Sequence, residues 1–332
     1  MSLASKEFVL PRPGDAGSAS APPVAGPPEL AFTETFGPLL PPAKYLNTTN
    51  GKAAYYELLP LLPKSNSSQI PDRVLLIHGV QTPALGLLPL ARALQESSPQ
   101  AHFVLFDLWG HGLSDTPIKP HEPGLFHQLI DALLDQLKWP SAHLIGFSFG
   151  GALTPEYVVS RSSRVQSYTL VAPAGLMRSS ILSPEEQGHI RGGVDETATR
   201  KWVHNWLNGG ELNIPTDWEE RVTKGEVVAP ALRGWQLQEH AGHAASVVGI
   251  VRDGGVFDSH AIFSEAARTG IPSFAILGGL DDICTAQDLN DVGFTDVAVV
   301  PQVGHEVVRE RVPEVTALID IFWKRLGKTS SN

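Results

Sequence analysis

Gly146-Phe147-Ser148-Phe149-Gly150-Gly151 decides how this chain is read. The stretch follows an apolar run, His143 to Phe147, with the character of a strand, and opens a segment, Gly151 to Val159, with the character of a helix. A serine at a strand-to-helix turn has its hydroxyl pushed clear of the backbone, and the flanking glycines leave the room that the turn requires. The helix that begins after Ser148 points its N-terminal dipole at that hydroxyl, which favours negative charge developing there. Among 31 glycines an isolated match could be an accidental packing turn. The strand before it and the helix after it make Ser148 a candidate nucleophile.

Working outward, short apolar runs recur at Val74 to Ile77, Phe103 to Phe106, Ser167 to Val171, Ser273 to Leu277 and Val297 to Val300. Helix-length segments lie between them, among them Pro89 to Gln95 and Leu125 to Leu137. Continuous strands separated by helices predict a parallel sheet covered on both faces. Lys44 onward alternates around Asn50-Gly51, which predicts a tight hairpin opening the sheet. Glu306 to Leu326 has apolar residues at roughly helical spacing, with Pro313 interrupting its first turns. The rhythm breaks between residues 175 and 262, which read as an inserted helical subdomain holding Trp202, Trp206, Trp218 and Trp235. A tryptophan there either fills a small core or forms an aromatic wall over a ligand; Phe147, Trp202, Trp206 and Trp235 are the candidate pocket residues. Residues 1–30, rich in Pro, Gly and Ala, read as a flexible extension that cannot bury enough surface to offset its ordering entropy.

With these motifs in order, the chain from Lys44 onward resembles the α/β-hydrolase superfamily. His78-Gly79-Val80 is similar to the oxyanion turn of that family, and Asp107-Leu108-Trp109-Gly110-His111-Gly112-Leu113-Ser114-Asp115 to a structural stretch of its lid-bearing members. Gly278-Gly279-Leu280-Asp281 resembles the turn that carries the acid, and Gly304-His305 the Gly-His after the last strand. The resemblance implies an α/β core (residues 31–174 and 263–328) with an inserted lid (residues 175–262). It also implies a catalytic triad of Ser148, Asp281 and His305, with the N–H groups of Val80 and Phe149 forming the oxyanion hole. Ser, Asp, His is the order this fold uses. Asp282 competes with Asp281 for the acid position. His111 is expected to be structural, and Cys284, lacking the elbow context, to be packing. His204, His240, His243 and His260 have no spacing that suggests a metal site.

Composition narrows the partners. Net charge is −10 without a dense basic run, which argues against nucleic acid. A single cysteine rules out an internal disulfide and fits a reducing compartment, so the chain is expected to be intracellular and cytoplasmic. No signal-peptide pattern appears at the start, and no apolar run reaches the roughly 18 residues needed to span a bilayer. The Asn-x-Ser/Thr sequons at Asn47 and Asn66 read as exposed turns. The expected activity is hydrolysis of an ester, thioester or lactone of a largely apolar small molecule through an acyl-enzyme, with no cofactor or metal. Rival readings are a carbon–carbon bond hydrolase, an acyl transferase or a cyclase using the same residues, and a ligand receptor without catalysis.

Overall fold

The computed structural model describes residues 8–15, 21–63, 71–191 and 195–329. Its strands are β1 (Lys44–Thr48), β2 (Gly51–Leu58), β3 (Arg73–Ile77), β4 (His102–Phe106), β5 (Ala142–Phe147), β6 (Val165–Val171), β7 (Ser273–Gly278) and β8 (Val297–Val300). They form one sheet in the order β1-β2-β4-β3-β5-β6-β7-β8. β1, β2 and β4 are joined antiparallel, and every other pair is parallel. β5 lies near the middle and is buried along its whole length, as expected of a strand covered on both faces. Its C-terminal end delivers Ser148.

The helices are α1 (Glu29–Phe36), α2 (Leu88–Ser97), α3 (Pro123–Gln136), α4 (Phe149–Ser160), α5 (Pro184–Arg191), α6 (Glu196–Asn208), α7 (Trp218–Thr223), α8 (Ala229–Glu239), α9 (His243–Asp253), α10 (His260–Ala267), α11 (Ala286–Asp291), α12 (Val307–Glu310) and α13 (Val312–Thr329). Alternate residues of β3 divide the core. Leu75 and Ile77 pack with Phe126 and Leu129 of α3, Leu153 of α4 and Phe263 of α10. Val74 and Leu76 pack on the opposite face with Leu90 and Leu94 of α2 and Ile319 and Phe322 of α13. The period-two pleat thus feeds both layers from one strand.

Three local features differ from what the sequence predicts. Thr48 pairs with Gly51, so the hairpin turn is Thr49-Asn50, and Gly51, at φ 131°, is already the first residue of β2. Asn47 therefore sits in a strand and not in a turn, while Asn66 lies outside the described residues. The predicted helix from Glu306 to Leu326 is two, α12 and α13, because Pro313 has no N–H to donate and is accommodated only in a first turn.

The N-terminal stretch departs further. Residues 1–7 and 16–20 lie outside the described residues, but its other parts are held by donors and acceptors from distant segments. Val24 exchanges backbone hydrogen bonds of 2.9 and 2.8 Å with Thr116, and the Gly26 N–H donates to Asp115 Oδ1 at 2.9 Å. Arg12 donates to the carbonyl of Arg191 at 2.8 Å, and Arg252 to that of Pro11 at 2.9 Å. Leu10 is buried. Phe32 and Phe36 of α1 pack edge-on against Trp235 of α8 at 5.3 and 5.9 Å. Composition gives no sign of these contacts, because it counts side chains and not the partners that reach them.

Among the described residues, no helix is long and apolar enough to cross a membrane.

Candidate active site

Ser148 connects β5 to α4 with φ 53° and ψ −115°, a backbone conformation that a side chain other than glycine rarely adopts. The turn persists because its surroundings over-determine it. The Ser148 N–H donates to Val171 O at 3.1 Å, and its carbonyl accepts from the N–H groups of Ala152 and Ala174, both at 3.0 Å. Two glycines set the clearance. A Cβ on Gly150 would stand 2.1 Å from the Ile77 carbonyl oxygen, and one on Gly79 would stand 2.8 Å from the Ser148 Cβ. Gly150→Ala is therefore expected to displace the elbow or the end of β3, at a cost of about 1–3 kcal/mol. Urea denaturation checks the stability change, and an undisturbed midpoint would mean the two segments have slack.

His305 links the elbow to the acid turn. Its Nε2 lies 2.8 Å from Ser148 Oγ, and its Nδ1 lies 3.0 Å from Asp281 Oδ2. A carboxylate beside Nδ1 holds the proton on that nitrogen and leaves Nε2 able to accept one from the hydroxyl. Asp281 is fixed in turn by the Ile283 N–H, which donates to its Oδ1 at 2.9 Å. Between the two neighbouring acids, the geometry picks out Asp281. Its side chain has no solvent exposure, whereas Asp282 is exposed on the cavity wall and does not reach the imidazole.

Val80 and Phe149 flank the serine. Val80 lies on the cavity wall. Phe149 is the first residue of α4, where N–H groups lack intrahelical acceptors, and its ring packs edge-on to Phe126 at 5.3 Å.

The loop bearing Val80 is held by histidines that act as neutral hydrogen-bonding struts. His78 Nε2 accepts the Leu108 N–H at 2.9 Å, so its Nδ1 carries the proton and donates to Gly79 O at 2.6 Å. Burial lowers the His78 pKa to about 4. His111 Nε2 accepts the Gln81 N–H at 3.1 Å, and burial together with the neighbouring His243 and His78 holds its pKa well below the usual value. His240 meets Ser114 O and His243 meets Gly110 O, both at 2.8 Å, so these two brace the segment from Asp107 to Asp115. Asp107 itself accepts from the N–H groups of Ala84 and Leu113 and from the Tyr56 hydroxyl, at 2.9, 3.0 and 2.8 Å. Burial nevertheless raises its pKa to about 6. Among the described residues, no group of three or more His, Cys, Asp or Glu side chains could hold a metal ion. Cys284 is buried, and its thiol pKa is raised by that burial and by Asp288 and Asp281.

Ser148 and His305 open into a cavity of about 350 Å³. Phe147 and Trp206 line it, but two other candidate pocket residues do not. Trp202 is stacked between His189 and Trp206, at 5.2 and 5.9 Å, one helical turn back on α6. Trp235 follows Arg233 by two positions on α8. Since Arg233 is on the cavity, Trp235 points away, onto Phe32 and Phe36.

Other lining residues carry no sequence signal. Gln81, at φ 65°, places its amide 3.1 Å from His204 Nδ1 and accepts from Gln236 Nε2 on its carbonyl at 2.7 Å, so it ties the loop to α6 and α8. Arg233, Glu306 and Arg309 form a charged wall. Arg233 Nη2 lies 2.8 Å from Glu306 Oε1, and Arg309 contacts the other oxygen of the same carboxylate. Only the folded chain brings residues from α8 and α12 together.

The family described as alpha/beta hydrolase fold matches residues 72–200. A putative 2-succinyl-6-hydroxy-2,4-cyclohexadiene-1-carboxylate synthase of Bacillus subtilis is 24% identical over 227 residues, 64% of this chain and 78% of that protein. Among solved structures, the enol-lactonase of Burkholderia xenovorans superposes with a TM-score of 0.61 at 17% identity, covering 85% of this chain and 100% of the other. A meta-cleavage product hydrolase from Pseudomonas fluorescens gives 0.58 at 19%, covering 85% and 98%. At these identities the structural likeness establishes the fold.

Proposed function

From the premise that this chain has the α/β-hydrolase fold, we propose that it is a serine hydrolase acting on a small ester, thioester or lactone, with Ser148 as nucleophile, His305 as base and acid, and Asp281 as orienting acid. The observation that carries this reading is the unbroken hydrogen-bonded chain from Ser148 Oγ through His305 to Asp281, with the serine at a strained elbow on the cavity. Ser148 Oγ attacks the carbonyl carbon while His305 Nε2 takes its proton. The tetrahedral oxyanion is received by the N–H groups of Val80 and Phe149. His305 returns the proton to the leaving oxygen or sulfur as its bond to the carbonyl carbon breaks, and a water activated by the same imidazole then cleaves the acyl-enzyme. None of these steps calls on a cofactor.

The helices between β6 and β7 serve in this reading as the lid, with Met177, Trp206, Leu207 and Arg233 supplying that side of the cavity. Val80, Phe147 and Ile283 suit the apolar part of a substrate, and the volume suits a molecule at the small end of the range for ligand sites. A second reading, hydrolysis of a carbon–carbon bond beside a ketone, is supported by the likeness to the meta-cleavage product hydrolase and uses the same three residues.

Labelling with a fluorophosphonate probe, followed by peptide mapping, tests the proposal. Modification of the intact protein at Ser148 and none in Ser148→Ala is the expected result. Modification at another serine, or no reaction with even the smallest probes, would overturn it and favour a ligand receptor.

A further inference from the structure

On the charged wall of the cavity two guanidinium groups face one carboxylate. Arg233 and Arg309 share the single carboxylate of Glu306. The Arg309 side chain is 8% exposed and that of Arg233 17%, so neither charge is well screened by water. Among the described residues, Arg233 Nε and Arg309 Nη1, both buried, have no hydrogen-bond acceptor, and Glu306 Oε2 between them receives no hydrogen bond although it lies against Arg309. Asp282, the other acid on the cavity, is solvent-exposed and forms no ion pair among the described residues. Burial and the neighbouring Arg233 guanidinium, opposed by the Glu310 carboxylate, lower the Arg309 pKa to about 9, which leaves it charged at neutral pH.

This wall is close to the reacting atoms. The Arg309 guanidinium lies 5.2 Å from the Phe147 ring centroid, which is 5.3 Å from the His305 ring. The same three charged side chains also line an outer cavity of about 540 Å³, so they form the partition between the two spaces.

We propose that Arg233 and Arg309 form a carboxylate site, and that the substrate is an ester or lactone whose acyl part ends in a second, free carboxylate. The proposal rests on the serine-hydrolase reading above for its acyl orientation. A planar carboxylate matches the fork of a guanidinium, and its arrival supplies the acceptors that Arg233 Nε and Arg309 Nη1 lack. Glu306 then holds the pair in place when the site is empty and competes with the ligand.

The alternative is a purely structural latch, in which Glu306 of the core pins Arg233 of α8. Substrate preference separates the two. With p-nitrophenyl hydrogen glutarate against p-nitrophenyl pentanoate, matched in chain length, the wild-type protein is expected to favour the anionic ester about 10- to 100-fold in kcat/KM. Arg233→Gln and Arg309→Met each reduce that ratio about tenfold, while Glu306→Gln increases it. Should Arg309→Met fail to fold, the other two variants carry the comparison. A flat ratio in the wild type with normal labelling of Ser148, or equal losses for both esters in the variants, overturns the carboxylate site and leaves the hydrolase reading intact. Calorimetric titration of Ser148→Ala with the two esters reads binding without turnover. A preference for the glutarate there, with no labelling of Ser148 in the wild type, would keep the anion site and reject the hydrolase reading.

Discussion

Ser148→Ala is expected to lower kcat for any p-nitrophenyl ester the protein hydrolyses by about 10⁴- to 10⁶-fold, with little change in KM. The substitution removes the atom that forms the acyl bond but leaves the cavity walls in place. Asp281→Asn should cost about 10⁴-fold through a different route. An amide oriented to donate toward His305 Nδ1 would shift the imidazole proton to Nε2, where it can no longer accept from the serine. Asp282→Asn, one residue along and equally acidic, is expected to stay within about fivefold of wild type, because its carboxylate faces solvent and not the imidazole. Steady-state kinetics on the three variants check all of this. Equal losses from the two Asn substitutions would mean that the acid turn reorganises in solution.

Acid should unfold this protein unusually early. His78, His121, His127, His143 and His204 are all lowered to about 4, burial being the first cause for each. His111 and His243 lie further below the usual value. Each is neutral in the folded state, while in the unfolded chain it takes up a proton near pH 6.5. Below that pH the unfolded state binds more protons than the native one, so stability is lost as the pH falls from about 6.5 toward 4. At pH 5 each of the five contributes a loss of about 2 kcal/mol, and together they rival the 5–15 kcal/mol typical of a whole domain. Asp107 acts in the opposite sense. Its raised pKa of about 6 makes its ionised form costly to bury, so protonating it on acidification returns a smaller amount. The expected outcome is an unfolding midpoint near pH 5, seen by tryptophan fluorescence, with uptake of several protons in calorimetry across buffers of different ionisation enthalpy. A protein still folded at pH 4 would show that these imidazoles are hydrated or paired with groups that accept their charge.

Much of the fold was legible because parallel strands buried on both faces have to be continuous apolar runs, as β5 is. Ser148, Asp281 and His305 were legible as candidates because the motifs around them resemble those of the α/β-hydrolase superfamily, while the choice between Asp281 and Asp282 waited for the contact with His305. Each of the three motifs carries a glycine that marks its turn in the sequence. Arg233, Glu306 and Arg309 carry no such mark. An arginine on an amphipathic helix reads as solvated until the chain is closed and its partner, 73 residues away for Arg233, is opposite it. Trp235 shows the limit in the other direction. Counting tryptophans located an aromatic region, but only the helical phase relative to Arg233 decides which rings face the cavity.

The segment from Leu10 to Phe36, in its described parts, bridges distant regions of the chain. It contacts Arg191 and Arg252 in the helices between β6 and β7, Trp235 on α8, and Asp115 and Thr116 next to the sheet. Its partners in these contacts follow 89 to 241 residues later in the chain. Contacts this far apart along the chain are non-local closures of the kind that slows folding. Once docked, the segment joins two parts of the molecule that the sheet alone does not tie together. A cut within this stretch would therefore act on how firmly the helices between β6 and β7 are fastened to the rest of the molecule, without touching a residue that lines the cavity.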